Sequence, residues 1–191
     1  MRQTFVEKLT NAQAGRSSFA LYIAPKVDKL PPAFQRHDDP FLPYMRSVYA
    51  ATENLVCAYM FNFASYLALG AAGTIALERS IALTAQTHIT VLDARFATGD
   101  FASVWDEAAF GCDGVTITIE APPLAYETRP DRQAFTATDS EAYIASVNFS
   151  TAVIRLAQLT VPILPFDILD RARSLTFEDT LHSAVRDYVR A

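Results

Sequence analysis

Asp93, Arg95 and Asp100 are the side chains of this sequence best placed to do chemistry. They lie in the stretch Val-Leu-Asp-Ala-Arg-Phe-Ala-Thr-Gly-Asp-Phe-Ala-Ser, residues 91–103. The apolar run from His88 to Leu92 reads as a buried strand ending in Asp93 and Arg95, and Gly99-Asp100 open a helical pattern over Phe101–Phe110. At such a strand-to-helix edge the strand fixes a carboxylate while the loop stays open to substrate. A carboxylate there is costly to bury unless it is paired. Asp93 and Asp100 therefore have two open readings: groups that act on a ligand together with Arg95, or partners in structural ion pairs with arginine.

Other constellations are weaker. His37-Asp38-Asp39 has metal-ligand residue types, but it reads as a loop whose Asp39 caps a helix starting at Pro40, so no metal is expected. His88 reads as a satisfied edge histidine, and His182 lies on an amphipathic terminal helix. No Ser/His/Asp or Cys/His spacing is recognisable, and Cys112 has no basic neighbour to activate it. Phe101, Trp105 and Phe110 at helical spacing read as core. Tyr59, Phe61, Phe63 and Tyr66 could line an apolar pocket or pack against a second subunit.

The elements that must hold these groups alternate. A helix is expected over 4–14, stopped by Gly15, then a strand at Phe19–Ile23 and a helix from Pro40 to Asn54. A second strand, Leu55–Met60, precedes a helix at Ala71–Leu83; the third strand is His88–Leu92 and the fourth Val115–Ile119. This rhythm implies βαβ units and a parallel sheet. It fails after Ile119: residues 120–139, with Pro122, Pro123 and Pro130, read as a loop, 140–158 as a helix, Val161–Leu164 as a short strand, and Phe177–Arg190 as a helix capped by Thr176.

With 191 residues and 51% hydrophobic content the chain suits one domain with a sizeable core, yet it is shorter than the about 250 residues of a full eight-unit βα barrel. The net charge of −5 gives no electrostatic footprint for nucleic acid or an anionic membrane. The N-terminus lacks a signal-peptide core and no uncharged 18-residue apolar run follows, so a cytoplasmic protein without a membrane partner is expected. Cys57 and Cys112 read as small buried hydrophobes rather than a disulfide.

Five segments in order resemble the orotidine 5′-phosphate decarboxylase family, in its longer bacterial subgroup. Phe5-Val6-Glu7-Lys8-Leu9 resembles the opening helix, and Leu21-Tyr22-Ile23-Ala24-Pro25 with Lys29-Leu30-Pro31 resembles the first strand and loop, usually written VGLDP…LP. Asn54-Leu55-Val56-Cys57-Ala58-Tyr59-Met60 is similar to DLVCAFK, and Ala68-Leu69-Gly70 with Ala76-Leu77-Glu78-Arg79 to ALG…ALER. Leu92-Asp93-Ala94-Arg95 resembles LDAK and Gly99-Asp100-Phe101 its GDI, although three residues rather than one precede that glycine. The resemblance spans residues 1–119 and is weak over 120–191, where Arg173 corresponds to the phosphate-binding Ser-Arg near the last helix.

The resemblance implies a TIM-barrel-like α/β fold, here a shortened or incomplete barrel of parallel strands with outer helices, in a single domain over 1–191. Family chemistry sets an aspartate against the substrate carboxylate and uses the LDAK lysine to stabilise and protonate the carbanion. Here Met60 stands for the strand-two lysine, Arg95 for the catalytic lysine and Ala24 for the first-strand aspartate. Arginine, charged throughout, is a poor proton donor, and losing a matched general acid forfeits about 10²–10⁴ in rate. All six glycines precede residue 115, so glycine-dependent phosphate loops late in the barrel are not expected, and the sheet is expected either to stay open or to be closed by a partner chain. The resemblance thus implies Asp93, Arg95 and Asp100 as remaining catalytic-site groups, with Ala24, Met60, Asn62, Ser103 and Arg173 around a small-molecule ligand, no cofactor, and a homodimer. Two functions stay open: a diverged member binding a small nucleoside-like or other ligand without decarboxylating orotidylate, and a non-catalytic interaction or regulatory protein that keeps only the scaffold.

Overall fold

The computed structural model describes residues 3–96, 99–120, 126, 129–140, 142–172 and 176–191. Helix α1, Phe5–Ala14, begins with a capping box: the Thr4 hydroxyl accepts from Glu7 N–H, and the Glu7 carboxylate accepts from Thr4 N–H. It buries Phe5, Leu9 and Ala12 against the first residues of the inner strands, closing the bottom of a barrel. Strand β1 is Ala20–Ile23, followed by the single turn α2, Pro32–Gln35, and by α3, Phe41–Thr52. Strand β2, Ala58–Asn62, runs into α4, Phe63–Leu67, and α5, Gly70–Thr84; β3 is Ile89–Asp93, α6 Ala102–Asp106 and β4 Gly114–Thr118. Four strands then follow, β5 Gln133–Ala137, β6 Ala145–Asn148, β7 Val153–Leu156 and β8 Leu159–Pro162, before α7, Phe177–Arg190.

The eight strands form one sheet in sequence order. β1 to β6 are parallel, while β6, β7 and β8 pair antiparallel. The sheet nearly closes on itself, through a parallel bridge of Ala20 to Ile163 and a 2.8 Å bond from Leu164 N–H to the Ala20 carbonyl. The early strands read as continuous apolar runs because both their faces are covered. Ala20, Tyr22, Ala58, Met60, Ile89 and Val91 fill the barrel, whereas Leu21, Ile23, Tyr59, Phe61 and Leu92 pack beneath the helices. Two glycines have specific work here. Gly70 turns the chain between α4 and α5 at φ +64°, and a Cβ on Gly73 would stand 1.9 Å from the Tyr66 carbonyl.

The expected elements hold through β4, with three shifts. β2 starts three residues and ends two residues later than expected, because Leu55 and Val56 N–H both bond the Thr52 carbonyl and sheet pairing starts only at Ala58. Asn62 therefore ends the strand. The helix expected over Phe101–Phe110 is the single α6 after a 3₁₀ turn at Gly99–Phe101. Asp39 does not cap α3, and one of its carboxylate oxygens is buried without a hydrogen-bond partner; Thr176 likewise makes no side-chain cap on α7.

Beyond β4 the expectation fails over 120–158 and recovers at the end, where the strand expected at Val161–Leu164 is β8, two residues earlier, and the helix Phe177–Arg190 is α7 as expected. The presumed loop 120–139 contains β5, and the presumed helix 140–158 is β6 and β7. An antiparallel hairpin needs only a two-residue connection, here Ala157-Gln158 with Ala157 at φ +52°, so four strands fit where βαβ spacing left room for about two. The sheet consequently comes near to closure within the chain itself, its last strand reaching β1 through the Ala20–Ile163 bridge. Tyr59, Phe61 and Tyr66 are fully buried in the chain's own core and Phe63 nearly so, so they line neither an open pocket nor a subunit contact. Cys57 and Cys112 are buried free thiols, and among the described residues no helix is long and apolar enough to cross a membrane.

Candidate functional site

The C-terminal ends of β1, β2 and β3 bring three polar side chains to the barrel mouth. Residues two apart on a strand share a face, so Tyr22 and Met60 point inward, with Asn62 above Met60 and Asp93 above Val91. The register places Asn62 directly beside Asp93. Asp93 is buried and accepts from three side chains: the Tyr22 hydroxyl at 2.6 Å, Asn62 Nδ2 at 3.2 Å, Arg95 Nε at 3.0 Å and an Arg95 terminal nitrogen at 3.0 Å. The Arg95 contact is the two-pronged pairing that guanidinium geometry favours. Asn62 Nδ2 also donates to the Tyr22 oxygen at 2.6 Å, while its carbonyl oxygen caps α4 by accepting from Ser65 N–H at 2.8 Å.

Aromatic rings cover this cluster. The Arg95 guanidinium carbon lies 3.5 Å from the centroid of Phe149, which sits in the turn between β6 and β7. Phe166, just after β8, meets Tyr22 edge-on at 5.0 Å and stacks with Phe149 at 6.4 Å. Burial, and next the charge of Asp93, push the Tyr22 phenol well above its ordinary value, so it stays a proton-bearing donor. The mouth is thus filled by the chain's own side chains.

The residues expected at the site divide. Asp93, Arg95 and Asn62 come together. Asp100 does not join them: it is exposed, and its charge acts on Tyr126, whose phenol is pushed up to about 12 by burial first and Asp100 second. Ser103 is exposed and its hydroxyl donates to the Asp100 carbonyl. Met60 is completely buried in the barrel interior, one inward position below Asn62, so it contributes packing rather than a ligand contact. Ala24 lines a neighbouring cavity of about 160 Å³ with Tyr22, Lys26, Lys29, Phe166 and Asp170. Arg173 lies outside the described residues. Neither Lys26 nor Lys29 approaches Asp93; Lys29 pairs with Asp170 at 3.2 Å.

Sequence reasoning missed Tyr22, Phe149 and Phe166. Tyr22 left a signal, since it stands where the pattern VGLDP has glycine, next but one to the alanine that replaces the pattern's aspartate. A larger cavity of about 440 Å³ opens on the other side of Asn62, between the β1 loop and α4. The β7–β8 turn, meanwhile, lies at the opposite end of the barrel from this mouth, because β7 runs antiparallel to β6. The loop that would follow a seventh parallel strand at the mouth is replaced there by the short turn that carries Phe149.

Comparison with known proteins agrees with this architecture. The chain is 35% identical over 119 residues to the orotidine 5′-phosphate decarboxylase of Herpetosiphon aurantiacus, a match covering 61% of this chain and 44% of that protein. It is 32% identical over 121 residues to the enzyme of the same name from Thermomicrobium roseum, covering 60% and 42%. The match thus spans less than half the length of these curated relatives. Among solved structures, a candidate orotidine 5′-phosphate decarboxylase of Streptomyces avermitilis superposes with a TM-score of 0.63 at 15% identity, covering 100% of this chain and 98% of that one. No family model matches the sequence.

Proposed function

We propose, from the premise that this chain is a member of the orotidine 5′-phosphate decarboxylase family, that it has left decarboxylation behind and serves as a small-molecule-binding protein of that family. The observation that carries this reading is the saturation of Asp93 by Tyr22, Asn62 and Arg95. In the family chemistry an aspartate crowds the substrate carboxylate between lysines that can hold and deliver a proton. Here the Asp93 oxygens are held instead by a phenol, an amide and a guanidinium.

Protonation of a carbanion fails for a second reason. Arg95 stays charged at any working pH, Asn62 carries no titratable proton, and Tyr22 is held protonated by its surroundings. None of the donors at the mouth has an acidity matched to neutral pH, which general acid catalysis requires. Met60, where the second lysine would stand, is sealed beneath this layer. Room for a ligand lies beside the mouth, in the cavity bordered by Asn62.

We propose a soluble, cytoplasmic homodimer forming a single domain over residues 1–191. The alternative, an interaction protein, draws support from the exposed aromatic rings Phe96 and Phe166 on the rim. Purified protein mixed with orotidylate is expected to yield no UMP. Steady UMP formation proportional to protein concentration would overturn the reading.

A further inference from the structure

We infer that the cleft beside Asn62 is a binding site for an apolar-bodied organic anion, a small amphiphilic carboxylate held by Lys26; this rests on the ligand-binding reading above and names its ligand class. The cleft has a volume of about 440 Å³, within the about 300–1,000 Å³ usual for small-molecule sites. Its walls are Pro25 and Val27 from the β1 loop, Phe41 from the start of α3, and Ala64, Ala68 and Leu69 from α4 and the residues after it. Such a wall favours a hydrocarbon or aryl body.

The polar groups on the wall are unequal. Asn62 is spent: its amide nitrogen serves Tyr22 and Asp93, and its oxygen caps α4. Asp28 is already engaged within the protein. Lys26 is exposed, and its ammonium makes no ion pair or hydrogen bond among the described residues, while its backbone carbonyl accepts from Lys29 and Leu30 N–H. It also borders the smaller cavity of about 160 Å³, where the other lysine, Lys29, is paired with Asp170. Lys26 therefore stands on the wall shared by an apolar cleft and a polar one. A ligand with its body in the first and a carboxylate at the boundary meets complementary chemistry at both ends. A nucleotide is a poorer match, because the greater charge of a phosphate is opposed more strongly by Asp28 than a single carboxylate is, and the Ser65 hydroxyl is the one further polar side chain on the wall to read a base.

The test uses the full chain and two isosteric probes, 4-phenylbutyrate and 4-phenylbutanamide, followed by calorimetry or thermal shift. The carboxylate is expected to bind at least tenfold more tightly than the amide. Lys26→Met is expected to remove that preference while leaving weak binding of both probes. Ala68→Trp, at an exposed position on the cleft wall, is expected to abolish both without changing the circular dichroism spectrum. Equal binding of the two probes by the wild type, binding of neither at millimolar concentration, or tighter binding of UMP than of the carboxylate overturns the anion assignment. Unchanged binding in Ala68→Trp overturns the cleft. None of these outcomes produces UMP from orotidylate, so failure here and failure of the non-decarboxylating reading are separately visible.

Discussion

Tyr22 and Asp93, 71 residues apart in sequence, meet across the barrel mouth through a 2.6 Å hydrogen bond from phenol to carboxylate. The bond ties β1 to β3 over the intervening end of β2, where Asn62 touches both partners. Removing one donor from a buried carboxylate costs about 1.5–3 kcal/mol. Tyr22→Phe keeps the ring contacts with Phe149 and Phe166 and deletes only the hydroxyl. It is expected to lower unfolding free energy by about 2 kcal/mol in urea titration. An unchanged midpoint would mean that Arg95 and Asn62 alone satisfy Asp93.

Met60 tests whether the barrel interior accepts a lysine at this position. The side chain is fully buried among Tyr22, Ala58 and Val91 of the interior cluster. Met60→Lys places an ammonium in a closed apolar barrel, where an unpaired charge is costly enough to force neutralisation or unfolding. A loss of about 3–5 kcal/mol, or no folded protein, is expected, whereas Met60→Leu is expected to cost under about 1.5 kcal/mol. A stable Met60→Lys protein with a normal melting temperature would show that the interior is open to solvent.

His88 gives a pH signature. It is buried, with Nδ1 facing the Thr87 hydroxyl and Nε2 facing the Glu53 carbonyl, each at 2.9 Å. Burial holds its pKa below the usual 6.5. The folded state thus resists protonation while the unfolded state accepts it, so this contribution is complete above about pH 6.5 and is lost as pH falls below that value. In paired urea titrations the wild type is expected to lose more stability than His88→Gln between pH 7.5 and pH 5. An equal loss in both proteins contradicts the assignment.

The two thiols are expected to be inert. Burial pushes Cys57 and Cys112 up to about 12, and neither has access to solvent sufficient for attack on a reagent. Mass spectrometry after iodoacetamide at pH 7.5 is expected to find both unmodified in the folded protein and both alkylated in urea. Rapid labelling of either without denaturant contradicts the packing described.

Much of the first half of this fold was readable from the chain, for a physical reason. Runs such as Ala20–Ile23 and Ile89–Asp93 are buried on both faces, and helices that bury one face, α3 and α5, separate them. The second half hid itself. In β5 and β6 only Phe135, Ser146, Val147 and Asn148 are buried, and the hairpin between β7 and β8 turns at Ala157 rather than at glycine or asparagine. Without those strands no reading could bring Phe149 and Phe166 over Tyr22. The Asp93–Arg95 pair was legible as one of two alternatives, since the residues are neighbours on one strand end. The contributions of Tyr22 and Asn62 depend on sheet register, which a linear reading of the chain does not carry.

On the proposed function, a carboxylate held by phenol, amide and guanidinium does not drive loss of carbon dioxide from orotidylate. Release of labelled carbon dioxide from carboxyl-labelled orotidylate at neutral pH measures this directly. The account predicts release indistinguishable from a protein-free control, and contradiction would be release that scales with protein and disappears in Asp93→Asn.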